Sequence, residues 1–237
     1  VEGAELAGPA PPLEALLGAG LAAGAQRPAV ASARRTVSWR TLEDESAALA
    51  RAYLAHGLAP GDRVASLMPN RVALLVHYLA CFKAGLVATP LNYRYTHREI
   101  DHALAVSGAS ALVAHAERGE DVAASELAGG LAHGTVVYAD PDLPLPAGAP
   151  DGTAFDGLLA RAPAGGELPA AADGDPAAIF FTSGSTGPAK GVTHTRETLR
   201  WMVASAAAAF ELSEQDSFLP GSSMSHIGSF LWALSAL

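Results

Sequence analysis

The sequence is poor in cysteine, in basic runs and in long apolar stretches, and each shortage removes a class of protein. A single cysteine, Cys81, among 237 residues cannot form an internal disulfide. It sits in the apolar run 72–84 and reads as a core thiol of a cytoplasmic protein. The alternative, a reactive nucleophile, lacks a lysine or histidine pattern to activate it. Lys and Arg number 15 against 24 Asp and Glu, a formal charge of -9, and no basic stripe occurs, so nothing offers the electrostatic footprint of a nucleic-acid partner. No run reaches the roughly 18 apolar residues that a membrane span requires. The first residues lack the basic-then-apolar layout of a signal peptide. There is no repeat of fixed period, and the histidines show no His-Glu-x-x-His spacing for a metal.

What is present is a globular composition: 50% of the 237 residues are hydrophobic, enough for one large domain or two small ones with a sizeable core. Strand and helix patterns alternate. Residues 29–31 and 36–39 read as a hairpin, and Thr41 as the cap of a helix to about His56 with acidic residues 43–45 in its first turn. Residues 63–67 and 86–89 read as strands around a strongly apolar helix that Asn70 caps and that runs to about Lys83. Thr96 and Glu99 have the spacing of a capping box for a helix to about Val106. Strands at 111–114 and 135–138 flank a helical stretch at 122–127, and a short helix covers 155–161. A strand at 177–181, a helix at 195–210, a strand near 217–219 and an unfinished terminal helix complete the order. The expected fold class is α/β, with layered, parallel-rich sheets and flanking helices. Two loop-like stretches, 141–152 and 162–176, mark the best internal boundary. The start at Val1 and the end inside the apolar run 229–237, without a C-cap signal, read as those of a fragment.

The densest chemistry lies in Phe180-Phe181-Thr182-Ser183-Gly184-Ser185-Thr186-Gly187-Pro188-Ala189-Lys190-Gly191-Val192, where an apolar strand runs into four hydroxyls, three glycines and a lysine. Hydroxyls and glycine N–H groups can donate to phosphate oxygens, and a lysine ammonium supplies a compact positive charge. A Walker-type loop requires Gly-x-x-x-x-Gly-Lys-Ser/Thr. Counted from Gly184, the positions that should be glycine and a hydroxyl hold Ala189 and Gly191, so that motif fails twice. A Gly-x-Gly-x-x-Gly dinucleotide fingerprint is also missing. A flexible connector would need neither the strand entering the loop nor the lone lysine.

The same stretch resembles the AMP-binding signature of the adenylate-forming superfamily, which includes acyl-CoA synthetases, luciferases and peptide-synthetase adenylation domains. Family members usually carry proline directly before the lysine; here Pro188 and Ala189 are in swapped order, which alters loop stiffness more than chemistry. Val37-Ser38-Trp39-Arg40-Thr41-Leu42 with Gly61-Asp62-Arg63-Val64-Ala65, and Phe82-Lys83-Ala84-Gly85-Leu86-Val87-Ala88-Thr89-Pro90-Leu91-Asn92, resemble further blocks in the same order. The likeness runs from about Leu13 to the end and covers the first half of the family's large N-terminal domain. It makes residues 1–237 a partial AMP-binding domain without the family's C-terminal domain. Ser225-His226-Ile227-Gly228-Ser229 matches an aromatic-His-x-x-Gly element imperfectly, with serine for the aromatic residue and Gly228 one place early.

The resemblance implies ATP-dependent activation of a carboxylic acid to an acyl-adenylate and then to a CoA thioester, with ATP, Mg2+ and coenzyme A taking part. It assigns catalytic roles to Lys190, Thr186 and His226, and nucleotide binding to Thr182, Ser183, Gly184, Ser185, Thr186, Gly187 and Lys190, with no metal ligand in the chain. For His226 it implies a place in the acyl and adenylate pocket; a capping or core histidine is the alternative. His194 reads as a helix-entry residue. Pro90-Leu91-Asn92-Tyr93-Arg94 with Glu99-Ile100 looks most like fatty-acyl-CoA synthetases, and Ser225 would widen the acyl entrance. Two other functions stay open: an adenylation domain loading a carrier protein, and a nucleotide-binding module without ligase activity. The acidic magnesium residue, the ribose-binding aspartate and the C-terminal catalytic lysine of the family would lie beyond Leu237, so the 237-residue piece is expected to be inactive alone. A homodimer is left open, and the expected location is the cytoplasm.

Overall fold

A computed structural model of the chain describes residues 10–140, 154–182 and 187–237. The stretch 141–152 that the sequence marks as a loop, and Ser183, Gly184, Ser185 and Thr186, lie outside the described residues. After a short helix α1 (Gly18–Gly24), an antiparallel pair β1 (Pro28–Ala31) and β2 (Thr36–Ser38) forms the expected hairpin. Helix α2 (Trp39–Ala55) follows directly. Its cap is Ser38, not Thr41: extended backbone at Ser38 lets its Oγ accept from the Thr41 N–H at 3.1 Å. The helix therefore starts earlier than expected, which moves residues 43–45 out of the first turn.

The main body is a six-stranded sheet in the order β6-β5-β3-β4-β7-β8. Strands β3 (Arg63–Leu67), β4 (Val87–Pro90), β5 (Ala111–His115), β6 (Thr135–Tyr138) and β7 (Pro176–Thr182) are parallel, and β8 (Lys190–Thr195) runs antiparallel to β7. Helix α3 (Val72–Lys83) links β3 to β4, and α4 (His97–Ser107) links β4 to β5 on the other side of β3, so the chain reverses direction across the sheet after β4. The small helices α5 (Gly119–Ala124) and α6 (Phe155–Ala160) fill later connections, and α7 (Arg196–Ala209) and α8 (Ile227–Ser235) close the chain.

Strand alternation divides the apolar side chains between two layers. Val64, Ala111, Val113, Ala178 and Phe180 face the layer of α2, α3, α7 and α8. Ala65, Leu67, Leu112 and Ala114 face α4, with Phe181 packed against them. Helix α3 is buried over its whole length, as an all-round apolar helix must be. Its one cation, Lys83, is held by Glu43 at 2.8 Å and by the Glu14 carbonyl at 3.2 Å. Buried Arg196 ties the start of α7 to Glu14 and to the Phe82 carbonyl.

Cys81 is fully buried and burial pushes its thiol up, the behaviour of a core residue. The capping box of Thr96 and Glu99 forms as expected, and Gly108 ends α4 with φ 61°. Two further expectations fail. Asn70 does not cap α3, whose N-cap is Arg71; its side chain bonds instead to the segment before α8. Residues 216–220 form no strand: Phe218 stacks on Trp232 and Leu219 is 88% exposed, so no ladder partner is available there. No described helix is long and apolar enough to cross a membrane.

Candidate functional site

The glycine loop lies in sequence between β7, which ends at Thr182, and β8, which begins at Lys190 and pairs antiparallel with it. Its incoming limb is the buried run Ala177, Ala178, Ile179 and Phe180. The sequence pattern gives no hint of the outgoing strand, because Lys-Gly-Val-Thr-His-Thr is polar and mostly exposed; pairing with β7 makes it a strand. Thr195, the last residue of β8, caps α7 by accepting from the Thr198 N–H.

Register sets the lysine. Thr182 lies directly opposite Lys190, so the segment 183–189 is closed by a hydroxyl and an ammonium side chain on one face of the hairpin. The Thr182 hydroxyl reaches the Lys190 carbonyl at 3.5 Å. Both residues are exposed, as is Gly187. Gly191 shows why glycine follows the lysine: a Cβ there would meet Ile179 at 3.0 Å and Val106 of α4 at 3.6 Å. Behind the loop, the His102 ring of α4 lies with Nε2 2.7 Å from the Ala189 carbonyl. Sequence reading passed over His102, and no motif could have flagged it, since the contact joins residues far apart in the chain.

His226 occupies the N-cap of α8, but its side chain makes no capping bond. It is exposed, so it is not a core histidine either. Its place is fixed by its neighbours. The Asn70 side chain donates from Nδ2 to the Ser222 carbonyl and accepts from the Met224 N–H, both at 2.8 Å. The Tyr78 hydroxyl donates to the Met224 carbonyl at 3.1 Å, and Phe230 sits edge-on to Phe180 with ring centres 4.9 Å apart. No bond joins His226 to Lys190 among the described residues. Ser225 is buried, with its hydroxyl 2.8 Å from that of Ser223.

His194 lies on β8 with its ring edge-on to Phe180, and burial lowers its pKa. It borders an open groove of about 710 Å³ between α7 and α8, with Glu197, Trp201 and Leu231. At the carboxyl ends of β5 and β6, buried Asp140 accepts from the Arg71 guanidinium at 3.0 Å and lies 3.3 Å from His115 Nε2. Burial alone would raise the Asp140 carboxyl; the hydrogen bond and charge of Arg71, with Arg34 and His115, hold it below the usual range. That cluster satisfies itself. Among the described residues no group of three or more His, Cys, Asp or Glu side chains could hold a metal ion.

Comparison with known proteins gives a consistent picture. The family model described as AMP-binding enzyme matches residues 20–237. A feruloyl-CoA synthase of an Amycolatopsis species is 36% identical over 190 residues, covering 80% of this chain and 34% of its own length. A long-chain-fatty-acid–CoA ligase, FadD13, of Mycobacterium tuberculosis is 32% identical over 174 residues, covering 72% of this chain and 32% of its own. The chain thus spans about a third of the length of these curated relatives. The crystal structure of apo MatB from Rhodopseudomonas palustris superimposes with a TM-score of 0.80 at 25% identity, over 94% of this chain and 43% of that one.

Proposed function

The chain belongs to the AMP-binding enzyme family, and on that premise we propose that it carries the phosphate-gripping part of a site where ATP activates a carboxylic acid for transfer to coenzyme A. The observation that carries this reading is the pairing of Thr182 with Lys190 across the hairpin that closes the glycine loop. A carboxylate is a poor electrophile because its oxygens already hold the charge an attacking nucleophile would add. In the proposed reaction a carboxylate oxygen attacks the α-phosphorus of ATP, and the bond from that phosphorus to the bridging oxygen of pyrophosphate breaks. The CoA sulfur then attacks the acyl carbon, AMP leaves and the thiol proton is released.

The first step gathers charge on the leaving phosphates, so catalysis rests on positioning and electrostatic stabilisation. Lys190 neutralises the β- and γ-phosphates, and the Thr182 hydroxyl donates to a phosphate oxygen. Ser183, Gly184, Ser185, Thr186 and Gly187 are assigned to the same task from the signature alone. His226, exposed and unused as a cap, borders the acyl side. Bound Mg2+ would add positive charge at the phosphates. The described residues offer no acidic cluster for it, so none of them is assigned to the metal.

The stretch Pro90 to Arg94 favours a fatty acid, whereas the feruloyl-CoA relative supports an aryl acid equally well. ATP–pyrophosphate exchange with the full-length protein over a panel of fatty and aryl acids decides between them. Acid-dependent exchange followed by AMP release with CoA is the expected result; transfer only to a carrier protein would make it a loading domain. Nucleotide binding without exchange for any acid would leave a binding module and overturn the ligase reading.

A further inference from the structure

Lys190 stands at the exposed start of β8, and a phosphate-neutralising ammonium has value only where it is held in place. We infer that His102 is a positioning residue for Lys190: from α4 it grips the main chain one residue before the lysine and so sets where the ammonium is presented. The inference rests on the role given to Lys190 above.

A carbonyl oxygen can only accept, so the 2.7 Å contact with the Ala189 oxygen places the proton on His102 Nε2. One helical turn on, Val106 presents the same face of α4 to β8 and closes on Gly191, where a Cβ would lie 3.6 Å away. The lysine is therefore bracketed, by a hydrogen bond on the residue before it and by close packing on the residue after it. Ala189 needs an external hold: Pro188 has a ring to fix φ, and Ala189 has none.

Helix α4 is built to provide it. The Thr96–Glu99 capping box fixes its start. Asp101, next to His102, accepts from the Ser125 hydroxyl at 2.5 Å and from the Leu127 N–H at 3.0 Å, pinning the helix to the following connection. A histidine that merely filled space between α4 and β8 would not need its polar atom aimed at the one carbonyl beside the lysine.

The test compares His102→Ala and His102→Gln in the full-length protein, with two readouts. The first is hydrogen–deuterium exchange of amides in residues 190–195 without nucleotide. The second is the split between kcat and the KM for ATP in pyrophosphate exchange. His102→Ala should speed amide exchange in that strand and lower kcat about 10- to 100-fold, with the thermal midpoint kept. Glutamine, whose side-chain amide can also donate, should restore most of both. Unchanged amide exchange in His102→Ala overturns the inference, as does a fall in kcat that glutamine leaves unrepaired. If the unsubstituted protein supports no pyrophosphate exchange with any acid, the proposed activity fails, and amide exchange alone still decides whether His102 holds the strand.

Discussion

Helix α3 and strand β8 are each part of the same folded body, yet they are opposites. Every residue of α3 is buried, down to a lysine neutralised by Glu43, whereas the first four residues of β8 are exposed and include the lysine assigned to the phosphates. The apolar surface that α3 removes from water stabilises the sheet. The hairpin contributes little burial beyond β7 and leaves its polar groups available to a ligand. Stability and chemistry therefore reside on different elements, joined where Phe230 of α8 packs on both Tyr78 and Phe180.

The sharpest way to break this contrast is on the α3 side. Phe82 is 1% exposed, and Phe82→Ala should cost about 3–5 kcal/mol in urea unfolding of the chain. A loss below about 1 kcal/mol would mean that α3 is less important to stability than its burial implies.

A smaller effect probes the same helix through pH. Burial lowers His77 to about 3, and its Nδ1 lies 2.8 Å from the Tyr53 hydroxyl. The unfolded chain takes up a proton near pH 6.5 that the folded chain refuses down to about pH 3. Stability is thus complete above that unfolded value and declines as pH falls, by about 1.4 kcal/mol per pH unit. Asp140, held below its usual range, adds a loss of the same sign, beginning near the ordinary carboxylate pKa and continuing below it. His77→Leu should flatten the slope between about pH 6 and pH 4.5 while costing about 1–3 kcal/mol at neutral pH through the orphaned Tyr53 hydroxyl. An unaltered slope would assign the acid sensitivity to other groups.

How much of this was legible beforehand follows the same division. Period-2 and all-apolar runs announced β3, β4, β5, β6, β7 and α3 because burial dictates those residues one by one. The Thr96–Glu99 box was readable because its bonds are local. Strand β8 was not: its residues carry no strand pattern, and only the partner strand makes it one. Asn70 looked like a cap because that is its commonest local use, while its actual partners, Ser222 and Met224, come from a distant segment. For the site, Thr182 and Lys190 could be named from composition and from the signature. Their face-to-face register and the His102 contact depend on how the hairpin lies against α4. His226 stands out by its motif, but its exposure and lack of a capping bond follow from the fold around it.

The most direct test of the central claim is Lys190→Ala in the full-length protein, with the thermal midpoint and the acid-dependent ATP–pyrophosphate exchange rate measured on the same preparation. Removing an exposed side chain should leave stability within about 0.5 kcal/mol, while exchange falls about 10²- to 10³-fold. Exchange at the unsubstituted rate, or a midpoint that falls in step with it, would contradict the account.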